Sequence, residues 1–266
     1  MAILPLDHGI FASSGAGGVA TAGFFGGGYS RLTTVDKFDF SDDSRTTLST
    51  GLSTGTSALA GMANSGVAGY FGGGETAAGL TDVVEKFTFA DDSRSTLGTG
   101  LPVATNILAA MANSGTAGYF GGGYASASLT TVYKFAFSDD SRTTLSTGLS
   151  AAAQYLGAMA NSGTAGYFGG GGDSSWSEID TVDKFAFSDD GRTTLGTGLS
   201  VARQKDAGMA NSGTAGYFGG GQINSSGVNT TTVDKFAFPA DGRSTLGTGL
   251  SAATRVLGAM ANSGVL

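Results

Sequence analysis

Apolar and polar residues alternate along this chain in short runs. In "TVDKFAF" (Thr181–Phe187), Asp183, Phe185 and Phe187 fall on one side and Val182, Lys184 and Ala186 on the other. That two-residue period is the signature of a half-buried strand. No stretch sustains a 3.6-residue period, and glycine interrupts the sequence too often for helices. Other β-like runs, such as "AAAQYLGAMA" (Ala151–Ala160), "TAGYFGG" (Thr116–Gly122), "TTVYKFAF" (Thr130–Phe137) and "RTTLSTG" (Arg142–Gly148), are divided by "NSG", "SDDS" and glycine-rich turns. The whole pattern repeats. "AGYFGGG" or its variant "AGFFGGG" places a glycine triplet at residues 26, 72, 121, 169 and 219, a period of 46 to 50 residues. Short strands at such a period indicate propeller blades.

The reading is therefore all-β: a single five-bladed β-propeller with four antiparallel strands per blade. "GAMANSG" (Gly157–Gly163) and "AGMANSG" (Ala207–Gly213) supply the small side chains that inner strands need where blades converge on the axis. The Tyr-Phe pair is expected to fill the space between blades, with the following glycines turning the chain out of the sheet at positive φ. The first glycine strand has no standard inner strand before it, and the last inner strand has no glycine strand after it. The C-terminal segment Ser251–Gly264 is thus expected to join the first blade and close the ring. Two regions follow: an N-terminal arm, 1–18, and the propeller, 19–266. The arm carries Ile3, Leu4, Leu6, Ile10 and Phe11 with no repeat partner, and so is expected to dock on another subunit or a different protein, the alternative being that it folds back on its own propeller.

Charge and composition narrow the function. The net charge is −7, and most basic residues are spread evenly round the repeats, which argues against nucleic acid and anionic membranes. Cysteine is absent and His8 is the sole histidine. Ser-His-Asp and Cys-His catalysis and a multi-histidine metal centre are excluded. No apolar run approaches the length of a membrane span, and the first residues lack the basic and apolar regions of a secretory signal. "GYFGGG" has no Lys-Ser/Thr partner for a phosphate loop. No cofactor, metal or enzymatic activity is expected.

Two repeated charge motifs have structural explanations. The acidic pairs Asp42/Asp43, Asp91/Asp92, Asp139/Asp140 and Asp189/Asp190, with Ala240/Asp241 in the last copy, have the chemistry of calcium ligands but stand at β-turns, where aspartate caps backbone N–H groups. The Lys/Arg pairs, from Lys37/Arg45 to Lys235/Arg243, are expected to pair with carboxylates such as Asp36, Glu85 and Asp183.

The units resemble kelch-type propeller repeats. "GYFGGG" matches the glycine signature, "VDKFAF" the third strand and "SDDSRTTL" the last turn, with Leu145 and Leu195 where kelch repeats carry Trp. The "YFGGG…KFAF" units also resemble repeats of marine bacteriophage structural proteins. That resemblance implies a virion surface role in tail, fibre or capsid decoration, with other assembly subunits as partners. The competing readings are a purely structural component docking through its arm and invariant face, a bacterial surface lectin and, through "SDDGRTTL" (Ser188–Leu195) as a distorted Asp-box, a glycan hydrolase.

The copies differ in two places: the loop after the glycines and the lead-in to each inner strand. In a four-stranded blade both open on one face, which is expected to carry the ligand site. Tyr29, Tyr124, Tyr155 and Trp176 lie there. Trp176 is the chain's sole tryptophan and is flanked by Asp173 and Glu178. Arg203, Gln204 and Lys205 begin the following inner strand. These residues are expected to converge between the fourth and fifth blades on a glycan or host surface protein, the aromatic ring stacking on a sugar face.

Overall fold

The structure is a computed structural model that describes residues 9–14, 20–224 and 226–259. Every regular element in it is a strand. Sheet 1 comprises β1 (Gly9–Ser14), β2 (Ala20–Gly26), β3 (Val35–Asp39) and β4 (Arg45–Thr47). Sheet 2 comprises β5 (Ala60–Asn64), β6 (Ala68–Gly72), β9 (Val84–Thr88) and β10 (Ser93–Thr96), with a small separate hairpin, β7 (Glu75–Thr76) and β8 (Gly79–Leu80), in its loop. Sheet 3 holds β11 (Ala109–Asn113), β12 (Ala117–Gly121), β13 (Val132–Ala136) and β14 (Arg142–Thr144). Sheet 4 holds β15 (Gly157–Asn161), β16 (Ala165–Gly169), β17 (Val182–Ala186) and β18 (Arg192–Thr194). Sheet 5 holds β19 (Ala207–Asn211), β20 (Ala215–Gly219), β21 (Val233–Ala237) and β22 (Gly242–Thr245).

All pairings are antiparallel meanders, and each innermost strand packs on the innermost strand of the next sheet, from β1 through β19. The architecture is propeller-like. The register explains the aromatic-glycine motif. Phe120 of β12 reaches back to sheet 2, where a Cβ on Gly72 would lie 2.6 Å from its ring. Phe168 meets Gly121, and Phe218 meets Gly169, in the same way. Tyr119 points forward instead and stacks on Phe187 of sheet 4, centroids 5.3 Å apart; Tyr70–Phe137 and Tyr167–Phe238 repeat this. So the Tyr-Phe pair does fill the space between sheets, one ring on each side. The next two glycines turn at positive φ, as at Gly122 (62°) and Gly123 (96°), a region costly for residues with a side chain.

The acidic pairs divide their labour. The first Asp caps its own turn: Asp139 accepts from the Ser141 N–H at 3.0 Å, and Asp189 from the Gly191 N–H at 2.9 Å. The second adopts a left-handed φ of 56° to 58° and, in every sheet but the first, bolts two sheets together. Asp190 accepts from the Tyr119 hydroxyl at 2.8 Å and the Lys134 ammonium at 2.7 Å. Asp140 and Asp241 repeat the bolt with Tyr70/Lys86 and Tyr167/Lys184. Burial, followed by the facing carboxylate, pushes these tyrosine hydroxyls far above their ordinary titration range. Ala240 replaces a cap and spares the bolt. The repeated arginines turn to their own sheets, as in Arg94–Glu85 (2.7 Å) and Arg192–Asp183 (3.3 Å). Tyr133 stands where the acid would be in sheet 3, and Arg142 there donates to the Gly100 carbonyl.

The closure expected from the repeat count is corrected. The innermost place in sheet 1 belongs to β1, whose Phe11 lies opposite Phe24 and whose Ile10 lies opposite Phe25. The arm is therefore not surplus: its residues 9–14, Ile10 and Phe11 among them, fold back as the alternative had it and complete the first sheet. Backbone polar groups on β2 need a partner strand, and the nearest preceding segment supplies it although its sequence, "GIFASS", departs from the "GAMAN" type. Ile3, Leu4 and Leu6 lie outside the described residues. So do residues 260–264 of the expected closing strand. Its described part, through residue 259, forms no strand and joins no sheet.

Candidate functional site

The lead-ins to the inner strands form an open ladder. One residue in each adopts left-handed backbone: Ala58 (φ 54°), Ile107 (48°), Tyr155 (56°), Lys205 (61°) and Val256 (60°). For β-branched Ile and Val this conformation costs of order 1–3 kcal/mol. Hydrogen bonds offset it. Ile107 N–H donates to the Ala58 carbonyl (3.0 Å), Tyr155 to Ile107 (3.0 Å), Lys205 to Tyr155 (2.8 Å) and Val256 to Lys205 (2.9 Å). Four sheets are thereby laced at their inner ends, and side chains at these positions vary without changing the backbone. A second set of bridges ties each preceding residue to the first residue after the glycines: Ser57 to Glu75, Asn106 to Tyr124, Gln154 to Gly172 and Gln204 to Gln222.

Beside this ladder lies a cavity of about 540 Å³. Ala58, Ile107 and Tyr155 cluster beneath it, all buried, with Tyr124 against them. Tyr29, Tyr124 and Trp176 form aromatic walls, while Ser57, Asn106, Arg31 and Glu75 supply the polar lining. Arg31 and Glu75 pair at 2.6 Å across sheets 1 and 2. Trp176 is 39% exposed, its ring 5.8 Å from Tyr124 and 6.2 Å from Tyr155. Burial, then the Glu75 charge, raises the Tyr155 hydroxyl to about 12, so it is a neutral donor at any physiological pH.

The expected site residues separate into three groups. Trp176, Tyr124 and Tyr155 come together as the variable loops suggested, but on the cavity shared by sheets 1 to 4 and not in a groove between the fourth and fifth. Asp173 builds the Trp176 loop, its carboxylate accepting from the N–H groups of Ser175 (2.7 Å) and Ser177 (2.9 Å). Glu178 accepts from the side-chain amides of Gln204 (3.1 Å) and Gln222 (3.2 Å), which steadies the same loop. Lys205 lies 4.7 Å over the Tyr155 ring and donates to Gln222 at 3.3 Å. Burial, followed by nearby Arg255, lowers its pKa.

Arg203 is a correction. It is fully buried, bonded to Asp234 at 3.0 Å and to the Phe218 carbonyl at 3.1 Å, with Asp206 at 3.9 Å. It serves the joint between sheets 4 and 5 and does not face a ligand. Gln204 is also buried. Arg31, Glu75 and Ile107 were not singled out by the sequence. The signal for Ile107 lay in reading the repeats column by column: it stands three residues before "AMAN", as Ala58, Tyr155 and Lys205 stand before theirs.

Chemically, the cavity offers aromatic faces beside hydroxyl, amide and ion-pair groups. Such a lining suits a ligand with an apolar ring face and hydroxyls at its edge. Among the described residues, no three His, Cys, Asp or Glu side chains gather as a metal site.

No family model matches this sequence, and no curated protein matches it. Among solved structures, "Structure of YjhT" superposes with a TM-score of 0.76 at 13% sequence identity, covering 96% of this chain and 87% of that one. At that identity the likeness establishes the fold alone: this chain shares the overall architecture of that protein.

Proposed function

We propose that the protein is a non-catalytic binding module, its five four-stranded sheets acting as blades of one propeller and its variable face holding a glycan. The observation that carries this reading is the meeting of Tyr124, Tyr155 and Trp176 at one cavity that also presents Ser57, Asn106 and the Arg31–Glu75 pair. Stacking on a pyranose needs a partly exposed aromatic face held in place, and Trp176 meets both requirements: it is half-exposed and its loop is pinned by Asp173. The resemblance of the "YFGGG" units to bacteriophage structural repeats supports a virion surface setting, where such a face would hold a host glycan or glycosylated surface protein.

The test is a glycan array followed by calorimetric titration of any hit, using the wild-type protein, Trp176→Ala, and Asp189→Asn as a control at a turn on the opposite face. Loss of one stacking ring is expected to weaken binding about tenfold, with circular dichroism unchanged. A Trp176→Ala protein that folds and binds its hit at full strength overturns the site. A wild-type protein that binds nothing on the array or on host cells overturns the function.

A further inference from the structure

Each contact between neighbouring sheets joins two unlike faces, and both halves stand open at the ends of the array. The forward face of sheets 2 to 4 presents a Met, a Tyr, a Lys and the Asn of "NSG". The rear face of the next sheet answers with a Gly, a Phe, an Asp and a glycine N–H. Met111, for instance, lies against Gly166, Tyr119 on Phe187, Lys134 on Asp190, and Asn113 accepts from the Gly163 N–H at 2.8 Å. On sheet 5 the same positions are Met209, Tyr217, Lys235 and Asn211. Met209 and Tyr217 are only half-buried and Asn211 is exposed, whereas their counterparts in sheets 2 to 4 are buried. A Cβ on Gly219 would meet only its own sheet's Val233, where Gly72, Gly121 and Gly169 each meet a phenyl ring of the next sheet. At the other end, Phe25 is half-buried while Phe71, Phe120, Phe168 and Phe218 are buried. Phe40 is 44% exposed, although its equivalents Phe89, Phe137, Phe187 and Phe238 each stack on the preceding sheet. Among the described residues neither Asp43 nor Lys235 has an ionic partner.

We propose that these two faces are the walls of a docking slot for one further four-stranded unit of this same repeat. Charge complementarity selects the occupant. Toward sheet 5 it must offer an Asp to Lys235 and the Tyr217 hydroxyl, a phenyl ring to Tyr217 and a Gly to Met209; toward sheet 1 it must offer a Lys to Asp43 and an aromatic ring to Phe40. Only a "YFGGG…KFAFSDD" unit carries both sets in register. The path of the chain agrees. Leu250 N–H donates to the Thr231 carbonyl at 2.8 Å, as Leu199 does to Asp180 at 2.7 Å, and Val256 extends the axial ladder from Lys205. Leu257 packs on Gly220 as Leu156 packs on Gly122. Residues 250–257 thus lead to an innermost place beyond β19, which a second whole copy, arriving with its own β1, would have to contest.

The experiment extends the full chain after Gly264 with a copy of residues 164–198, and measures mass in solution and thermal unfolding. The extended protein is expected to be monomeric with a raised Tm. In it, Asp43→Asn and Lys235→Met are each expected to lower Tm as much as Asp190→Asn and Lys134→Met do, while in the unextended chain the two end variants leave Tm unchanged. A copy of residues 67–100 provides an independent extension. Failure of both extensions to fold, or an unchanged Tm with silent end variants, overturns the proposal. End variants that already destabilise the unextended monomer also overturn it, because the two faces then close on each other. Dimers of the unextended chain that Asp43→Asn dissociates overturn it in favour of a second copy.

Discussion

Replacing Asp206 by Leu is expected to stabilise the protein, and to do so in a pH-dependent way. At the equivalent place in the other units stand Leu59, Leu108, Leu156 and Leu257, each packed on the second glycine of a triplet; Asp206 lies on Gly170 in the same position. Its carboxyl is fully buried. Desolvation is the largest influence and raises its pKa to about 7, with Arg203 opposing. The Arg203 guanidinium is 3.9 Å away but holds Asp234 at 3.0 Å, so it keeps an ionic partner when Asp206 is removed. A carboxyl whose folded pKa exceeds its unfolded value of 3.8 contributes stability below that value and loses it as pH rises through about 7. Wild-type stability is therefore expected to fall between pH 4 and 7 from this group.

A shift of this size corresponds to a few kcal/mol, and replacing buried ionic groups with well-packed apolar ones is neutral or stabilising by about 1–4 kcal/mol. We expect Asp206→Leu to add about 2 kcal/mol at pH 8, roughly 6 °C in Tm for a protein of this size, and to give no gain at pH 4.5, where the buried carboxyl is protonated. Denaturant unfolding at both pH values provides the measurement. Arg203→Thr, which copies Thr56 and Thr105, is expected to cost about 3 kcal/mol because it leaves Asp234 and Asp206 without the guanidinium; the double variant should recover most of that. An Asp206→Leu protein that is less stable at pH 8, or that keeps the wild-type pH slope, refutes the reasoning.

Asp190→Asn keeps a side chain suited to φ 57° while removing the charge that holds Tyr119 and Lys134; a loss of about 1–2 kcal/mol is expected in urea unfolding. Gly121→Ala would place a methyl 2.6 Å from the Phe168 ring, and overpacking of this kind should lower stability by about 1–3 kcal/mol. Asp139→Ala removes a turn cap of the kind Ala240 already lacks, so calorimetry should register about 1 kcal/mol or less. Trp176→Ala should leave Tm within about 2 °C of wild type, because its indole is partly exposed and its loop is held by Asp173.

Much of the architecture was legible because each unit repeats the same physical necessity. Strand order, the filling of the space between sheets by the Tyr-Phe pair, the glycine turns and the capping role of the acidic turns all follow from residue chemistry at fixed offsets. What was not legible depended on which element wins a place rather than on what a motif does. The inner strand of sheet 1 is "GIFASS", which lacks the small-residue pattern of β5, β11, β15 and β19, so counting copies assigned its place to the C-terminal segment. Arg203 looked like a site residue because it stands in a variable lead-in. Its burial follows from a second departure three residues later, Asp206 for Leu, and the two changes make sense only together.

The same comparison explains why the candidate site sits where it does. Along the axial ladder the backbone is fixed by N–H to carbonyl bonds from one unit to the next, which makes no demand on the side chain beyond tolerance of left-handed φ. Ala, Ile, Tyr, Lys and Val occupy the five places, an apolar-to-cationic range on one shared backbone conformation. Between sheets, a Gly faces a phenyl ring and an Asp faces a Lys, in three of the four joints together with a Tyr hydroxyl, and the buried Arg203 comes with the buried Asp206. Recognition chemistry can therefore change along the ladder and its neighbouring loops at little cost to the fold. Tyr155 illustrates this: it replaces Ala58 or Ile107 in the ladder, keeps both hydrogen bonds, and adds an aromatic face to the cavity beneath Trp176.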